Sequence, residues 1–140
     1  MWSPCLKCEV KEIEKVQRRF TKRLKGLQNV SQSDRLCRRG LPSLELRRLH
    51  LDFIFCYKLV FNLVSVNFSR FFVFSHVQKT RGHVYKLYKP RSNCSVSSRF
   101  FAERVVNVWN DLPSTVNFVS LASFKRTIRD VDFSEYMRCY

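Results

Sequence analysis

Glycine is scarce in this chain, with only three glycines in 140 residues. Phosphate-binding loops of nucleotide-binding enzymes need several glycines within a few positions, so the sequence excludes that class of site. Histidine is equally rare, and no cysteine or serine accompanies a histidine in a recognisable nucleophile setting. The three histidines are His50, His76 and His83. These absences argue against nucleotide-driven and nucleophilic catalysis.

Acidic residues are also few: 11 Asp and Glu stand against 26 Lys and Arg, which gives a formal net charge of +15. Asp52, Glu103 and Asp111 are isolated, whereas a two-metal nuclease or polymerase site needs carboxylates that converge on a pair of cations. We therefore expect capping or ion-pairing roles for these acids, no catalytic residues and no cofactor. The positive surplus instead predicts a polyanionic partner, either nucleic acid or an acidic protein surface.

No uninterrupted apolar run in the sequence is long enough to cross a membrane. The most apolar stretch, residues 49–66, contains His50, Asp52, Lys58 and Asn62, whereas a spanning helix needs about 20 mostly apolar residues. Residues 1–10 include a proline and charged residues where a signal peptide needs an apolar run. We expect an intracellular protein, in the nucleus or the cytoplasm, with no membrane partner.

The six cysteines form no regular framework of pairs. Cys5 and Cys8 make a single C-x-x-C pair, but a structural zinc site needs four ligands and the sequence has no second pair. For an intracellular protein the simplest expectation is reduced thiols and no bound metal. Metal binding by Cys5 and Cys8 is the alternative that this spacing leaves open.

Hydrophobic residues make up 45% of the chain, which is typical of a domain that folds. The clearest periodicity lies in residues 9–29, where apolar residues recur every three or four positions on a face about 120° wide. They are Val10, Ile13, Val16, Phe20, Leu24 and Leu27. This spacing predicts an amphipathic helix with that apolar face.

Three further helices are predicted, over residues 43–64, from Ser98 to the Leu112-Pro113 pair, and over residues 120–131. Their expected buried positions are Leu46, Leu49, Phe53, Cys56, Leu59, Val60 and Leu63 in the first, Phe101, Val105, Val108 and Trp109 in the second, and Leu121, Phe124, Ile128 and Val131 in the third. Residues 71–77 and 84–89 have the composition of short paired strands. The predicted fold is therefore a single mainly α domain over residues 1–140, with four to five helices and room for a small β-hairpin around residues 71–89.

Cations fill the side of the first helix opposite its apolar face, in a stripe about 100° wide. Successive helical turns rise about 5.4 Å, so the cations are spaced closely enough to meet several backbone phosphates together. The alternative is a face that is simply solvated. Against this alternative, the run of positive charge continues past the helix, with Arg35 as one of its members. We predict nucleic-acid contacts from Lys11, Lys15, Arg18, Arg19, Lys22, Arg23, Lys25, Arg38, Arg39, Arg47 and Arg48.

A second candidate is the stretch from Thr80 to Arg91, where aromatic rings alternate with cations. Rings stack on unpaired bases while cations hold the backbone, a combination typical of single-strand binding. An ordinary amphipathic strand has the same alternation, with Tyr85 and Leu87 in the core and the lysines in water, and the two interpretations weigh equally. The candidate contacts are Arg81, Tyr85, Lys86, Tyr88, Lys89 and Arg91.

Four strings along the chain, in this order, resemble one known family. They are Ile-Glu-Lys-Val-Gln-Arg-Arg-Phe-Thr-Lys at residues 13–22, Gly-Leu-Pro-Ser-Leu-Glu-Leu-Arg-Arg at 40–48, Thr-Arg-Gly-His at 80–83 and Phe-Ala-Glu-Arg-Val-Val-Asn-Val-Trp-Asn-Asp-Leu-Pro at 101–113. The set is similar to the C-terminal portion of the reverse transcriptase polyprotein of non-LTR (LINE-type) retrotransposons. The resemblance runs over nearly the whole chain.

This resemblance implies a segment that follows the palm and thumb of a polymerase that copies RNA into DNA. In that family the catalytic aspartates and the endonuclease lie upstream, so the resemblance implies a truncated reading frame without polymerase activity. It also implies a role in gripping template RNA or target DNA, next to an upstream polymerase domain. The expected function is therefore that of a nucleic-acid-binding remnant, not an enzyme.

Two alternatives to nucleic-acid binding stay open on the sequence. One is a protein–protein interaction module whose apolar surface was once covered by the missing polymerase. The aromatic candidates for such a surface are Phe61, Phe71, Phe72 and Phe74. The other alternative is an element fragment with no function.

Overall fold

The computed structural model describes Pro4 and residues 6–76, 82–89 and 100–137. These residues divide into two compact units. The amino-terminal unit comprises the described residues up to Leu49 together with residues 133–137. The carboxy-terminal unit comprises the described residues from His50 to Asp132.

The described residues are mainly helical, as predicted. The helices are α1 (Lys7–Lys22), α2 (Gln32–Arg39), α3 (Leu44–Val60), α4 (Phe101–Asn110) and α5 (Leu121–Thr127), with short 3-10 turns at Phe68–Arg70 and Ser134–Tyr136. The described ranges contain no regular strand, and none of their helices is both long and apolar enough to cross a membrane.

The predicted hairpin is reduced to one isolated antiparallel bridge between Phe74 and Leu87. Two backbone hydrogen bonds flank it, from the Ser75 N–H to the Lys86 carbonyl at 2.9 Å and from the Tyr88 N–H to the Val73 carbonyl at 2.7 Å. Residues 77–81, which would form the turn, lie outside the described residues. The antiparallel pairing is therefore present without strands of regular length.

Helix α2 is bounded by two strong end signals, although it has almost no apolar residues to mark it. Ser31 caps its start by accepting from the Asp34 N–H at 3.2 Å. At its end Gly40 adopts a left-handed φ of 59°, and the Leu41 N–H reaches back to the Leu36 carbonyl at 2.9 Å. This is the Schellman arrangement, in which a glycine satisfies the last carbonyls of a helix. The end signals alone account for its boundaries.

Helix α3 begins where two side chains satisfy its free N–H groups. Ser43 accepts from the Leu46 N–H at 3.1 Å, and the Glu14 carboxylate of α1 accepts from the Glu45 N–H at 2.8 Å. A carboxylate at a helix N-terminus also interacts favourably with the helix dipole. Buried Glu14 is thus a capping residue for another helix.

Helix α3 ends at Val60, four residues before the predicted end. Asn62 takes a left-handed φ of 53°, and the Leu63 N–H donates to the Lys58 carbonyl at 2.8 Å. Asn tolerates this conformation better than most residues, so it closes the helix as glycine does elsewhere. Leu63 consequently lies outside the helix and is exposed, which corrects its predicted core position.

Helix α1 is buried along a different face from the predicted apolar one. Val10 is buried as expected, but Val16 and Phe20 are each 64% exposed, while Glu14 and Thr21 are buried. At about 100° per residue, the buried face is turned by about 80° from the centre of the apolar face. Specific hydrogen bonds to other elements hold the two polar residues inside and leave part of the apolar face in solvent.

The carboxy-terminal unit is built around aromatic side chains. The predicted core positions of α4, and Phe124 and Ile128 near α5, are buried. The Tyr57 hydroxyl donates to the Phe118 carbonyl at 3.0 Å, and Trp109 Nε1 donates to the Tyr85 carbonyl at 2.7 Å. Buried aromatic residues with polar tips need such partners, so these bonds fix how the rings pack.

Candidate nucleic-acid interface

The predicted basic stripe is present on α1 as an exposed arc. On a helical projection its five members fall within about 100°, and their rise along the axis is about 5–6 Å from one turn to the next. All five are exposed: Lys11, Lys15, Arg18, Arg19 and Lys22. We call these residues the α1 arc.

Among the residues that the structure describes, carboxylates do not neutralise most of the α1 arc. Lys15 forms an exposed ion pair with Glu12 three residues earlier. Arg18 donates from Nε to the neutral Gln32 side chain at 2.5 Å. This bond orients the guanidinium but does not neutralise its positive charge. Within the described residues, Arg19 and Lys22 have no ion pair or hydrogen bond through their side chains. The arc therefore keeps a surplus of positive charge.

Further cations of the amino-terminal unit are exposed in addition to the arc. Residues 6–49 contain 13 Lys and Arg against 5 Asp and Glu, so half of the chain's basic residues lie in less than a third of its length. The exposed predicted contacts beyond the arc are Arg23, Lys25, Arg38, Arg39 and Arg47. Their exposure leaves them accessible to phosphates.

Two arginines of the amino-terminal unit, Arg35 and Arg48, are less exposed than these cations. Arg35 is buried and donates to the Thr21 hydroxyl at 3.2 Å and to the Val30 carbonyl. It belongs to the structure of the unit, which corrects its inclusion in the exposed basic run. Arg48 is half-buried, and its Nε and Nη2 are buried without a hydrogen-bond partner among the described residues. Sequence patterning does not distinguish these two arginines from their exposed neighbours.

The second candidate stretch is only partly available. Tyr85 is half-buried, with its ring 4.9 Å from that of Phe61 and 5.2 Å from that of Phe118. Lys86 donates to the Asn110 carbonyl, and Leu87 is buried. Asn110 also accepts from the Leu87 N–H and donates to its carbonyl, each at 2.8 Å. These contacts agree better with an ordinary amphipathic strand, in which Tyr85 and Leu87 pack in the core, than with rings that stack on unpaired bases.

The remaining members of that stretch differ in what the structure describes. Tyr88 and Lys89 are exposed. Arg81 and Arg91 lie outside the described residues. In the part of this stretch that the structure describes, two candidate contacts are exposed, fewer than in the described part of the amino-terminal unit.

The aromatic residues predicted for a protein-binding surface are also divided. Phe72 is buried with 3% exposure, and Phe61 is half-buried against Tyr57 and Tyr85. Phe71 and Phe74 are exposed. Burial of Phe72 removes it from any docking surface, because its ring packs at 5.8 Å from that of Phe101.

Two of the residues considered for catalysis, Asp52 and His83, have structural roles. Asp52 is buried and accepts from Arg104 Nε at 3.0 Å and Nη2 at 2.6 Å. His83 is buried, its Nε2–H donates to the Trp109 carbonyl at 2.8 Å, and burial lowers its pKa. Burial raises the pKa of the Cys56 thiol well above its ordinary value. A protonated thiol and a neutral histidine held in the core suit packing better than reaction.

No group of three or more His, Cys, Asp or Glu side chains lies together among the described residues. Cys8 and Cys37 are exposed free thiols. Cys5, the other half of the C-x-x-C pair, lies outside the described residues, so its pairing with Cys8 is not observed.

No protein-family model, curated protein or solved structure matches this chain.

Proposed function

We propose that this protein binds the phosphate backbone of nucleic acid through the α1 arc, assisted by Arg23, Lys25, Arg38 and Arg39. The observation that carries this proposal is the exposure of five cations on one side of α1, of which only Lys15 pairs with a carboxylate among the described residues. A solvated helix face ordinarily mixes both signs, and surface ion pairs then neutralise one another. The one-signed arc instead supports attraction of a polyanion.

The proposed binding is sequence-independent. Lys and Arg contacts to phosphates supply affinity and register, whereas sequence is read through base edges. Cations one turn apart meet successive phosphates and release their condensed counterions, so affinity depends steeply on salt. No catalytic step is part of this proposal.

The origin we propose is the segment that follows the palm and thumb of a LINE-type reverse transcriptase. The four resembling strings support it, and three of them coincide with described helices or their starts, at α1, α3 and α4. In a full-length relative the upstream polymerase domain would be the neighbour of this segment. We propose that this segment acts on RNA or DNA.

The test is a salt titration of the purified full chain with a fluorescently labelled DNA duplex, followed by anisotropy. If about five phosphates are neutralised, the logarithm of affinity falls with the logarithm of salt at a slope of about −4 to −5. A slope near zero contradicts the proposal.

A charge-reversed variant locates the binding surface. Arg18→Glu, Arg19→Glu and Lys22→Glu together should abolish most binding. The matched control, Lys125→Glu, Arg126→Glu and Arg129→Glu, makes the same charge change at exposed cations of α5 and the residues that follow it. Equal loss in both variants would show that net charge alone drives binding and would contradict the assignment to α1.

The rival function is a protein-interaction module in the carboxy-terminal unit. Exposed Phe71, Val73 and Phe74 favour it, since neighbouring exposed apolar side chains mark interaction surfaces. It predicts a concentration-dependent oligomer that is insensitive to salt and is weakened by Phe74→Ala. Sedimentation at low and high salt distinguishes this rival from phosphate binding.

A further inference from the structure

The C-terminal half of α1 carries an exposed apolar ridge that the phosphate-binding proposal does not use. Val16 and Phe20 lie one turn apart on the same side of the helix, and each is 64% exposed. An exposed aromatic ring presents a flat apolar face that a partner can cover. Packing within the described residues leaves most of both side chains uncovered.

The charges around Phe20 are positive. Arg19 and Arg23 are exposed and lie within about 5 Å of Phe20 along the helix axis, with Arg23 about 60° away around it. The acids on that side, Glu12 and Glu9, precede Phe20 by eight and eleven residues, about 12 and 16 Å along the axis. An anionic partner thus meets cations of α1 beside the ring, and the acids of α1 on that side lie at least two helical turns away.

We propose that Phe20 is a stacking platform for an unpaired base, so that the surface prefers single-stranded to duplex nucleic acid; this rests on the proposed phosphate binding. When the phosphates that flank a nucleotide contact Arg19 and Arg23, the flat face of its base is free to cover the Phe20 ring. Stacking on aromatic rings tolerates every base, because each base has a π-face. The preference is therefore for strandedness and not for sequence.

A duplex does not offer the same contact, because its base faces are already stacked on one another.

An anionic bilayer is the other surface that a cationic helix with exposed apolar residues can bind. Interfacial helices present a broad apolar face to the bilayer, whereas this ridge has two large exposed side chains between the buried face and the basic arc. The small apolar area suits a base better than a lipid layer.

The experiment measures affinities of the full chain for an oligothymidylate strand of about 12 nucleotides and for a duplex of the same length. Phe20→Ala should weaken strand binding about 5- to 100-fold and leave duplex binding within about twofold, since base stacking carries that much affinity. Phe20→Trp keeps a ring and should restore strand binding. Phe100→Ala is the matched control, because Phe100 is 65% exposed in the other unit, and it should change neither affinity.

Each other outcome overturns the inference in a recognisable way. Equal strand affinities of Phe20→Ala and Phe100→Ala, with duplex binding and its salt slope intact, reject stacking and leave phosphate binding standing. Wild-type protein that binds neither strand nor duplex rejects both. Loss of binding to phosphatidylserine vesicles in Phe20→Ala, with unchanged strand affinity, assigns the ridge to membranes instead. Circular dichroism of each variant verifies that its helical content equals that of the wild type.

Discussion

Arg35 Nε donates to the Thr21 hydroxyl at 3.2 Å, and both side chains are buried. The same hydroxyl donates to the Gln17 carbonyl at 2.9 Å. This hydrogen-bonded chain joins α2 to α1 within the amino-terminal unit. A charged residue of the basic stretch thus holds two helices together while its neighbours Arg38 and Arg39 lie exposed.

Arg35→Met should therefore reduce stability and not affinity. The substitution keeps much of the buried stem but removes donors to two acceptors, and lost hydrogen bonds to a charged group cost about 1.5–3 kcal/mol. Urea unfolding followed by circular dichroism measures the effect. Arg39→Met is the control at an exposed position: it should leave stability unchanged and weaken duplex binding. The reverse pattern for these two variants would contradict the distinction between the two arginines.

The Asp52–Arg104 pair should contribute far more to stability than the exposed Glu12–Lys15 pair. Asp52→Asn removes the carboxylate charge that faces the largely buried Arg104 guanidinium, and breaking such a pair costs about 3 kcal/mol or more. Glu12→Gln breaks a pair whose side chains are 67% and 47% exposed, and should cost under about 0.5 kcal/mol. Denaturant titration of both variants compares them. A Glu12→Gln loss as large as that of Asp52→Asn would refute this ranking.

Acid should destabilise the carboxy-terminal unit through His83. Burial, followed by the nearby charge of Lys86, lowers the pKa of His83 below its ordinary value of 6.5, although its bond to the Trp109 carbonyl opposes the shift. As pH falls through about 6.5 the unfolded chain takes up a proton that the folded state refuses, so stability present at higher pH is lost. Unfolding free energies measured between pH 7.5 and 5.5 should fall with pH.

His83→Gln keeps a donor for the Trp109 carbonyl and removes the titration, so its stability should depend less on pH than that of the wild type. The pKa of His50 is also lowered, first by burial and then by Arg129, so His50→Gln should flatten the remaining dependence. Wild-type stability that rises on acidification in this window would contradict the burial of neutral histidines.

Gly82→Ala should destabilise the same unit. Gly82 has a φ of +105°, and an added Cβ would lie 3.0 Å from Lys86 Nζ and 3.1 Å from the Leu112 carbonyl oxygen. The lysine end can move, but the backbone oxygen and the positive φ cannot be relieved cheaply, so we expect a loss of more than about 2 kcal/mol. Thermal unfolding followed by tryptophan fluorescence measures it. An unchanged melting temperature would show that the backbone there is free to relax.

Apolar periodicity predicted the helices whose packing depends on simple burial. For α4 it identified Phe101, Val105, Val108 and Trp109, all of which are buried. It did not predict α2, because Leu36 is almost the only apolar residue of that helix and one residue cannot form a periodic pattern. The Ser31 cap and Gly40 were the available signal, because end signals do not depend on an apolar face.

The candidate site was predictable in its charge but not in its orientation. The α1 arc follows from residue spacing alone. The rotation of α1 about its axis buries Glu14 and Thr21 and exposes Phe20. This rotation depends on the hydrogen bond of Glu14 with Glu45, 31 residues away in sequence, and on that of Thr21 with Arg35, 14 residues away. Local patterning has no information on such partners, so it could not identify the exposed ring or the buried arginine.

The change in salt slope on removing two arc cations tests the central claim most directly. Each phosphate contact contributes about −0.9 to the slope for duplex DNA, so Arg19→Gln with Lys22→Gln should reduce a slope of about −4.5 to about −2.7. Lys125→Gln with Arg126→Gln removes the same charge from α5 and should leave the slope at its wild-type value. Equal slopes for the two double variants would contradict phosphate binding by the α1 arc.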